Sequence, residues 1–135
     1  MYKPLGRFIY DGPAVPIAAG GKVQFAQNTI QTSAIGYDGA GGIQLKAPGT
    51  YIVHVNITTT ATAADSQEFQ LFANGIGVPG AAASTTASAI GDEISIAFNA
   101  LETVTVSNSG YATLTVVAAS ATSLNIAQLI VEKVA

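Results

Sequence analysis

The chain has 135 residues, enough for one compact domain and too few for two. Only 10% of them carry a charge, against about 25% in an ordinary soluble domain. The net charge of −3 gives no positive field, so the composition excludes nucleic-acid binding through phosphate neutralisation. Because cysteine is absent, disulfides, thiolate metal sites and a cysteine nucleophile are excluded as well. A surface this poor in charge favours association, so we expect a packed oligomer.

The apolar stretch near the N-terminus is too short to act as a signal peptide. Its apolar patch, residues 8–10, ends at Asp11-Gly12-Pro13, whereas a signal peptide needs a longer core. No run of about 18 apolar residues occurs, so no membrane span is expected. We predict a protein made in the cytoplasm, with residues 1–7 as an N-terminal arm and residues 8–135 as a single domain.

Short segments of alternating apolar and polar residues, separated by Gly and Pro, predict strands along the chain. The clearest segment is 51–58. Its odd-numbered residues share one face, which is predicted to be the core: Tyr51, Val53, Val55 and Ile57. Its even-numbered residues share the opposite face: Ile52, His54, Asn56 and Thr58. Further on, Asn74-Gly75 predicts a hairpin turn, because both residues tolerate positive φ.

Two strands are predicted late in the chain, at 93–99 and 103–107, with a turn at 108–110 after them. Asp92 is expected to support the turn that precedes the first of these strands. No segment shows a convincing helical period. Residues 81–89 are ambiguous, because their alanines favour helix while their Ser and Thr side chains compete for backbone hydrogen bonds. We expect a loop or a weak strand there.

Chemistry-bearing residues form no recognisable site. Residues 75–80 match G-x-G-x-x-G, but alternating strands surround them, so the glycines are predicted to be turn residues and not a nucleotide cradle. His54 is the only histidine, with no nucleophile or ligand spacing beside it. The carboxylates lie mostly alone near turns. We therefore expect no enzyme, no cofactor and no metal site, with a small allowance for a cluster of three His54 side chains on a trimer axis.

Several strings, in order and spacing, resemble one family of folds. They lie at 17–25, 42–45, 48–53, 69–75, 78–80 and 124–133. Together they resemble the trimeric jelly rolls of the tumour necrosis factor and complement globular-head type. The likeness is greatest to the C-terminal domain of bacterial collagen-like spore-surface (exosporium) glycoproteins. The resemblance implies an all-β, ten-strand, two-sheet antiparallel jelly-roll sandwich that forms a homotrimer and has no catalytic residues.

The resemblance also assigns an interface. It turns Ile52, His54 and Asn56 towards neighbouring protomers. The continuous apolar run 129–131 predicts cover on both faces of the last strand, so Leu129 and Val131 are expected in the trimer interface too. One departure is that the spore-surface proteins carry a collagen stalk before this domain, whereas fewer than ten residues precede the first predicted strand here.

These inferences predict a non-enzymatic structural protein that forms a homotrimer on a particle surface, as a phage virion decoration or fibre protein. The alternatives are a receptor- or glycan-binding trimeric module and a spore-surface (exosporium) component. The expected location is the virion surface after synthesis in the host cytoplasm, with the spore surface as the alternative. The expected partners are further copies of the chain, a capsid or other particle lattice, and a surface glycan or receptor. Loops 38–42 and 65–67 would face the lattice or solvent.

Overall fold

The computed structural model describes residues 4–25, 27–32, 34–104 and 112–135, which form ten β-strands and no helix. The strands are β1 (Leu5–Ile17), β2 (Gln27–Gln31), β3 (Ile35–Tyr37), β4 (Ile43–Leu45), β5 (Gly49–Thr60), β6 (Ser66–Ala73), β7 (Ile76–Thr86), β8 (Glu93–Val104), β9 (Ala112–Ala118) and β10 (Thr122–Lys133). Within these residues, no helix of the length and hydropathy needed to cross a membrane is found.

The strands form two five-stranded sheets that pack face to face. The first sheet has the order β2-β1-β10-β5-β8 and the second the order β3-β4-β9-β6-β7. Every neighbouring pair is antiparallel. Most neighbours are distant in the chain, since β1 pairs with β10 and β5 lies between β10 and β8. This confirms the predicted two-sheet antiparallel jelly roll of ten strands.

The core lies between the two sheets and is built by period-two alternation. The predicted inner face of β5 is confirmed: Tyr51, Val53, Val55 and Ile57 are each at most 2% exposed. The Tyr51 hydroxyl donates a hydrogen bond to the Ala47 carbonyl at 2.8 Å, so the polar atom of this buried ring has a partner. Burial raises the pKa of Tyr51 above its ordinary value.

Two predicted turns are confirmed, with their physical cause. Asn74 and Gly75 have φ values of 53° and 80°, and they join β6 to β7 as a two-residue hairpin in which Ala73 pairs with Ile76. At the other turn, the Asp92 carboxylate accepts hydrogen bonds from the Ser88 N–H, the Ser88 hydroxyl and the Ala89 N–H at 3.0 to 3.1 Å. This carboxylate therefore supports the turn before β8.

Two expectations need correction in the alanine-rich and glycine-rich region. Residues 81–86 belong to β7, so the weak strand is right and the loop is wrong for that part. Of the three glycines predicted as turn residues, Gly75 lies in the turn, whereas Gly77 and Gly80 lie in β7. Pairing of β7 with β6 accounts for both differences, because it supplies the hydrogen bonds that small residues alone do not specify.

The two late strands predicted at 93–99 and 103–107 are wrong as separate elements. One strand, β8, runs to Val104 and pairs with β5 without a register shift. The alternation in the sequence is interrupted at Leu101 and Glu102. In the structure the apolar Leu101 lies on the outer face, where it is 64% exposed, and the charged Glu102 takes an inward position. The apolar and polar positions are therefore exchanged at this point of the strand. The remainder of the second strand and the turn at 108–110 lie outside the described residues.

The first strand also begins earlier than the sequence suggests. β1 starts at Leu5, within the segment 1–7 expected to be an arm. Its first residues pair with β10, Leu5 opposite Glu132 and Arg7 opposite Ile130. Backbone pairing across the sheet therefore orders part of a segment that lacks a strong alternation of its own.

Glu102 makes the stability depend on pH. Burial raises its pKa above the ordinary value of 4.5, so the folded protein binds this proton more tightly than the unfolded chain. The resulting stabilisation is present at low pH and is lost as the pH rises through the folded-state pKa.

We expect Glu102→Gln to raise the urea midpoint at pH 7, and to leave it near that of the parent at about pH 3.5. The control is Glu93→Gln on the exposed start of β8. An equal effect of both substitutions at pH 7 would contradict the assignment.

Candidate assembly surface

The outer face of the first sheet, the face turned away from the second sheet, presents side chains from four paired strands. Because β8, β5, β10 and β1 are in register, these side chains form rows across the strands. The first row is Leu101, Ile52, Glu132 and Leu5. The second row is Asn99, His54, Ile130 and Arg7. The third row is Ala97, Asn56, Gln128 and Ile9.

The outer face of the first sheet is rich in large aliphatic side chains. They are Leu5, Ile9, Ile52, Leu101, Ile126 and Ile130. Leu101 is 64% exposed and Ile126 is 51% exposed. Single exposed aliphatic residues are ordinary on a protein surface, but several large ones gathered on one sheet face are typical of an interaction surface.

The outer face of the second sheet is different. Its strands β4, β9 and β6 present mainly polar side chains: Gln44, Thr113, Thr115, Glu68 and Gln70. Phe72 and Val117 are the apolar exceptions. A face with this composition is stable against water. The apolar outer face is therefore a property of the first sheet and not of the sandwich as a whole.

Polar side chains in the second and third rows are held by hydrogen bonds within the outer face. His54 Nδ1 lies 2.7 Å from Asn99 Oδ1, and the Arg7 Nε–H donates to Gln128 Oε1 at 2.9 Å. These bonds satisfy part of the polar content and fix the side chains between the aliphatic residues. The face can consequently be covered by another protein surface at a lower desolvation cost than free polar groups would impose.

The structure divides the predicted interface residues into two groups. Ile52, His54 and Asn56 lie on the outer face of the first sheet, as the alternation predicts. Leu129 and Val131 do not, because both are completely buried between the sheets. A side chain with no exposed surface in the protomer has nothing to present to a neighbour, so their assignment to the interface was wrong.

Ile130 takes the place of these two residues on the outer face. The three-residue apolar run conceals the parity of the strand, but the flanking polar residues Gln128 and Glu132 have the same parity as Ile130 and could have revealed it. Leu101 and Ile126 were missed for another reason. Strand pairing places Leu101 beside Ile52 and Ile126 beside Thr58. Alternation in the sequence does not specify which strands pair.

Carboxylates near the turns serve those turns. The Asp38 carboxylate accepts hydrogen bonds from the Ala40 and Gly42 N–H groups at 2.7 and 2.8 Å. Asp65 accepts a hydrogen bond from the Gln67 side-chain amide. Across the part of the chain that the structure describes, no group of three or more His, Cys, Asp or Glu residues could hold a metal ion.

Comparison with solved structures shows the fold. The chain is similar to Eiger tumour necrosis factor from S. frugiperda, with a TM-score of 0.80 and 14% identity over 100% of this chain and 94% of that one. The chain is also similar to murine APRIL at pH 5.0, with a TM-score of 0.74 and 9% identity over 98% of this chain and 100% of that one. For the globular domain of zebrafish complement 1qA protein, the TM-score is 0.65 and the identity is 9%, over 96% of this chain and 94% of that one. No protein-family model and no curated protein match the sequence. The fold is thus of the tumour necrosis factor and complement globular-head type.

Aspartate substitutions test which residues of β10 face outward. Leu129→Asp places an unpaired carboxylate in the core and is expected to cost about 4 kcal/mol or more, enough to unfold a marginal domain. Ile130→Asp places the same charge on the outer face and is expected to retain the β-sheet signal in far-ultraviolet circular dichroism. Loss of that signal in Ile130→Asp with its retention in Leu129→Asp would contradict the placement.

Proposed function

We propose that the chain is a non-enzymatic structural protein that forms a homotrimer through the outer face of the first sheet. We further propose that the trimer is displayed on a particle surface, as a decoration or fibre protein of a phage virion. The observation that carries the assembly is the group of aliphatic side chains that lie among hydrogen-bonded polar residues on the outer face of β1, β10, β5 and β8. A spore-surface role is a variant supported by the sequence resemblance alone.

Burial of the outer face has a clear driving force. Covering a large aliphatic side chain contributes about 1.5 to 3 kcal/mol when it passes from full exposure to full burial. The exposed fractions of Leu101 and Ile126 leave at least half of that contribution unused in the protomer. Of the twelve residues in the three rows, only Arg7 and Glu132 carry a formal charge. Association through this face therefore releases apolar surface from water without burying many charges.

Three copies are favoured over two by the fold. Jelly rolls of the tumour necrosis factor and complement globular-head type assemble about a three-fold axis, and the described part of the chain has that fold. The low charge content supports association in general, since 10% charged residues give a lone sandwich little polar cover.

The structural role, as opposed to an enzymatic one, is supported by how the polar groups are used. The Asp38 and Asp92 carboxylates bind backbone amides of their own turns, and His54 pairs with Asn99. These groups maintain the scaffold. A scaffold of this kind presents loops at its ends, as a protein displayed on a lattice requires.

Single thiols provide a test of the buried face. The chain has no cysteine, so Leu101→Cys and Ile76→Cys each introduce one reactive group. In the protomer these two positions are similarly exposed, at 64% and 73%, but Ile76 lies at the β6–β7 hairpin, away from the outer face. At micromolar concentration we expect Leu101→Cys to react with a thiol reagent at least about 10-fold more slowly than Ile76→Cys, and to approach its rate on dilution.

Equal rates for the two thiols at all concentrations would contradict the assembly. Native mass spectrometry of both variants is the control, because it separates a protected thiol from a variant that has lost or changed its oligomeric state.

The location is tested separately. An antibody raised against the purified protein is expected to label intact phage particles banded from the source culture. Labelling of spores alone would replace the virion with the spore surface. Recovery of the protein only as a free trimer would overturn the particle-surface part of the proposal and leave the assembly intact.

A further inference from the structure

A cleft of about 660 Å³ opens at the edge of the sandwich, outside the assembly surface. It forms because β2 pairs with β1 only as far as Ile9, so the second half of β1 has β10 on one side and no strand on the other. The segment 21–25 and the loop after β3 complete the walls. Its volume lies in the range usual for sites that bind small ligands, about 300 to 1,000 Å³.

The cleft has a buried apolar floor and an exposed polar rim. The floor residues Ile17, Phe25 and Leu124 are 8%, 3% and 1% exposed. Two rim residues, Lys22 and Gln24, are exposed. A ligand seated here would place one surface on apolar groups and keep another in water, which suits a molecule with hydroxyl groups better than a lipid chain.

Two tyrosines in the wall are held in place by the protein itself. The Tyr37 hydroxyl accepts a hydrogen bond from the Gly41 N–H at 3.1 Å, and its ring lies on Phe8 with centroids 5.6 Å apart. The Tyr10 hydroxyl donates a hydrogen bond to the Pro13 carbonyl. Rings fixed before binding lose little conformational entropy on contact with a ligand, so the cleft is pre-organised.

The lining of the cleft carries one positive charge in an acidic protein. Lys22 lies on its rim and makes no ion pair with any described residue, and none of the lining residues is acidic. The Asp38 carboxylate stands between two lining residues in the chain but is not itself in the lining, and it accepts hydrogen bonds from the Ala40 and Gly42 N–H groups. The chain as a whole carries −3. Lys22 is the one charged residue among the described residues of the lining, so the lining favours an anionic ligand over a cationic one.

The free edge of β1 is unsuited to strand addition. Residues 11–16 are exposed, but Pro13 and Pro16 have no N–H to donate to an added strand, and prolines on an edge prevent such pairing. The β1–β10 register also shifts between Asp11 and Val15, which interrupts a regular ladder. The cleft is therefore better suited to a small ligand than to an extended peptide.

We infer that this cleft binds an acidic saccharide. The Lys22 ammonium pairs with the sugar carboxylate, and the apolar face of the sugar ring packs on the tyrosine wall above the buried floor. Each cleft is built by one protomer alone, so the inference does not rest on the proposed trimer. Sialylated glycans and uronic-acid polymers share the carboxylated ring, and the binding experiment distinguishes these two sources.

The test is isothermal titration calorimetry of the full chain with 3′-sialyllactose, with a glucuronic-acid oligosaccharide and with neutral lactose. We expect a dissociation constant on the order of 1 mM for at least one acidic ligand and no measurable heat with lactose. Lys22→Gln is expected to weaken binding about 5- to 10-fold. Lys46→Gln, which removes a charge from an exposed lysine outside the cleft, is the matched control and is expected to leave binding unchanged.

Three results would overturn the inference. They are the absence of binding by both acidic ligands up to about 10 mM, equal binding of lactose, and equal loss of affinity in Lys22→Gln and Lys46→Gln. Mass measurement of each variant under the same conditions separates a failure of this inference from a failure of the trimer, since a monomeric protein that still binds sialyllactose would contradict only the assembly.

Discussion

The odd-numbered side chains of β5 and of the second half of β10 are buried against the second sheet. This burial determines which side chains of the first sheet face outward. Once Val53, Val55, Leu129 and Val131 are packed between the sheets, period two sends their neighbours to the outer face. Antiparallel pairing then aligns those neighbours in rows with residues of β1 and β8. The apolar outer face is thus a direct consequence of how the core is filled.

Local signals in the sequence were sufficient wherever one residue determines its own conformation. The hairpin at Asn74-Gly75 and the two faces of 51–58 follow from positive φ and from strict alternation, and both are confirmed. The face of Leu129 was missed because three consecutive apolar residues conceal the parity of β10. The continuity of β8 was missed because the apolar Leu101 lies on the outer face while the charged Glu102 takes an inward position.

The cleft could not be predicted for a different reason. Its walls come from β1, from the segment 21–25 and from the loop after β3, so it exists only after the early end of β2 has left the edge of β1 open. The sequence shows Lys22 and Tyr37 as isolated residues. The structure places both in the lining of one cleft, whose described lining contains no acidic residue. The outer face proposed for assembly and the cleft proposed for binding are separate surfaces, so the two proposals are compatible.

The central claim, that the outer face of the first sheet is buried between three copies, is tested most directly by the mass of the intact assembly. Native mass spectrometry at micromolar concentration is predicted to give a species of about 41 kDa, three times the 13.6 kDa of one chain. It is also predicted to give a smaller species after Ile52→Glu, because three buried carboxylates would have to lose their hydration. A dominant species of 13.6 kDa for the unaltered protein would contradict the account.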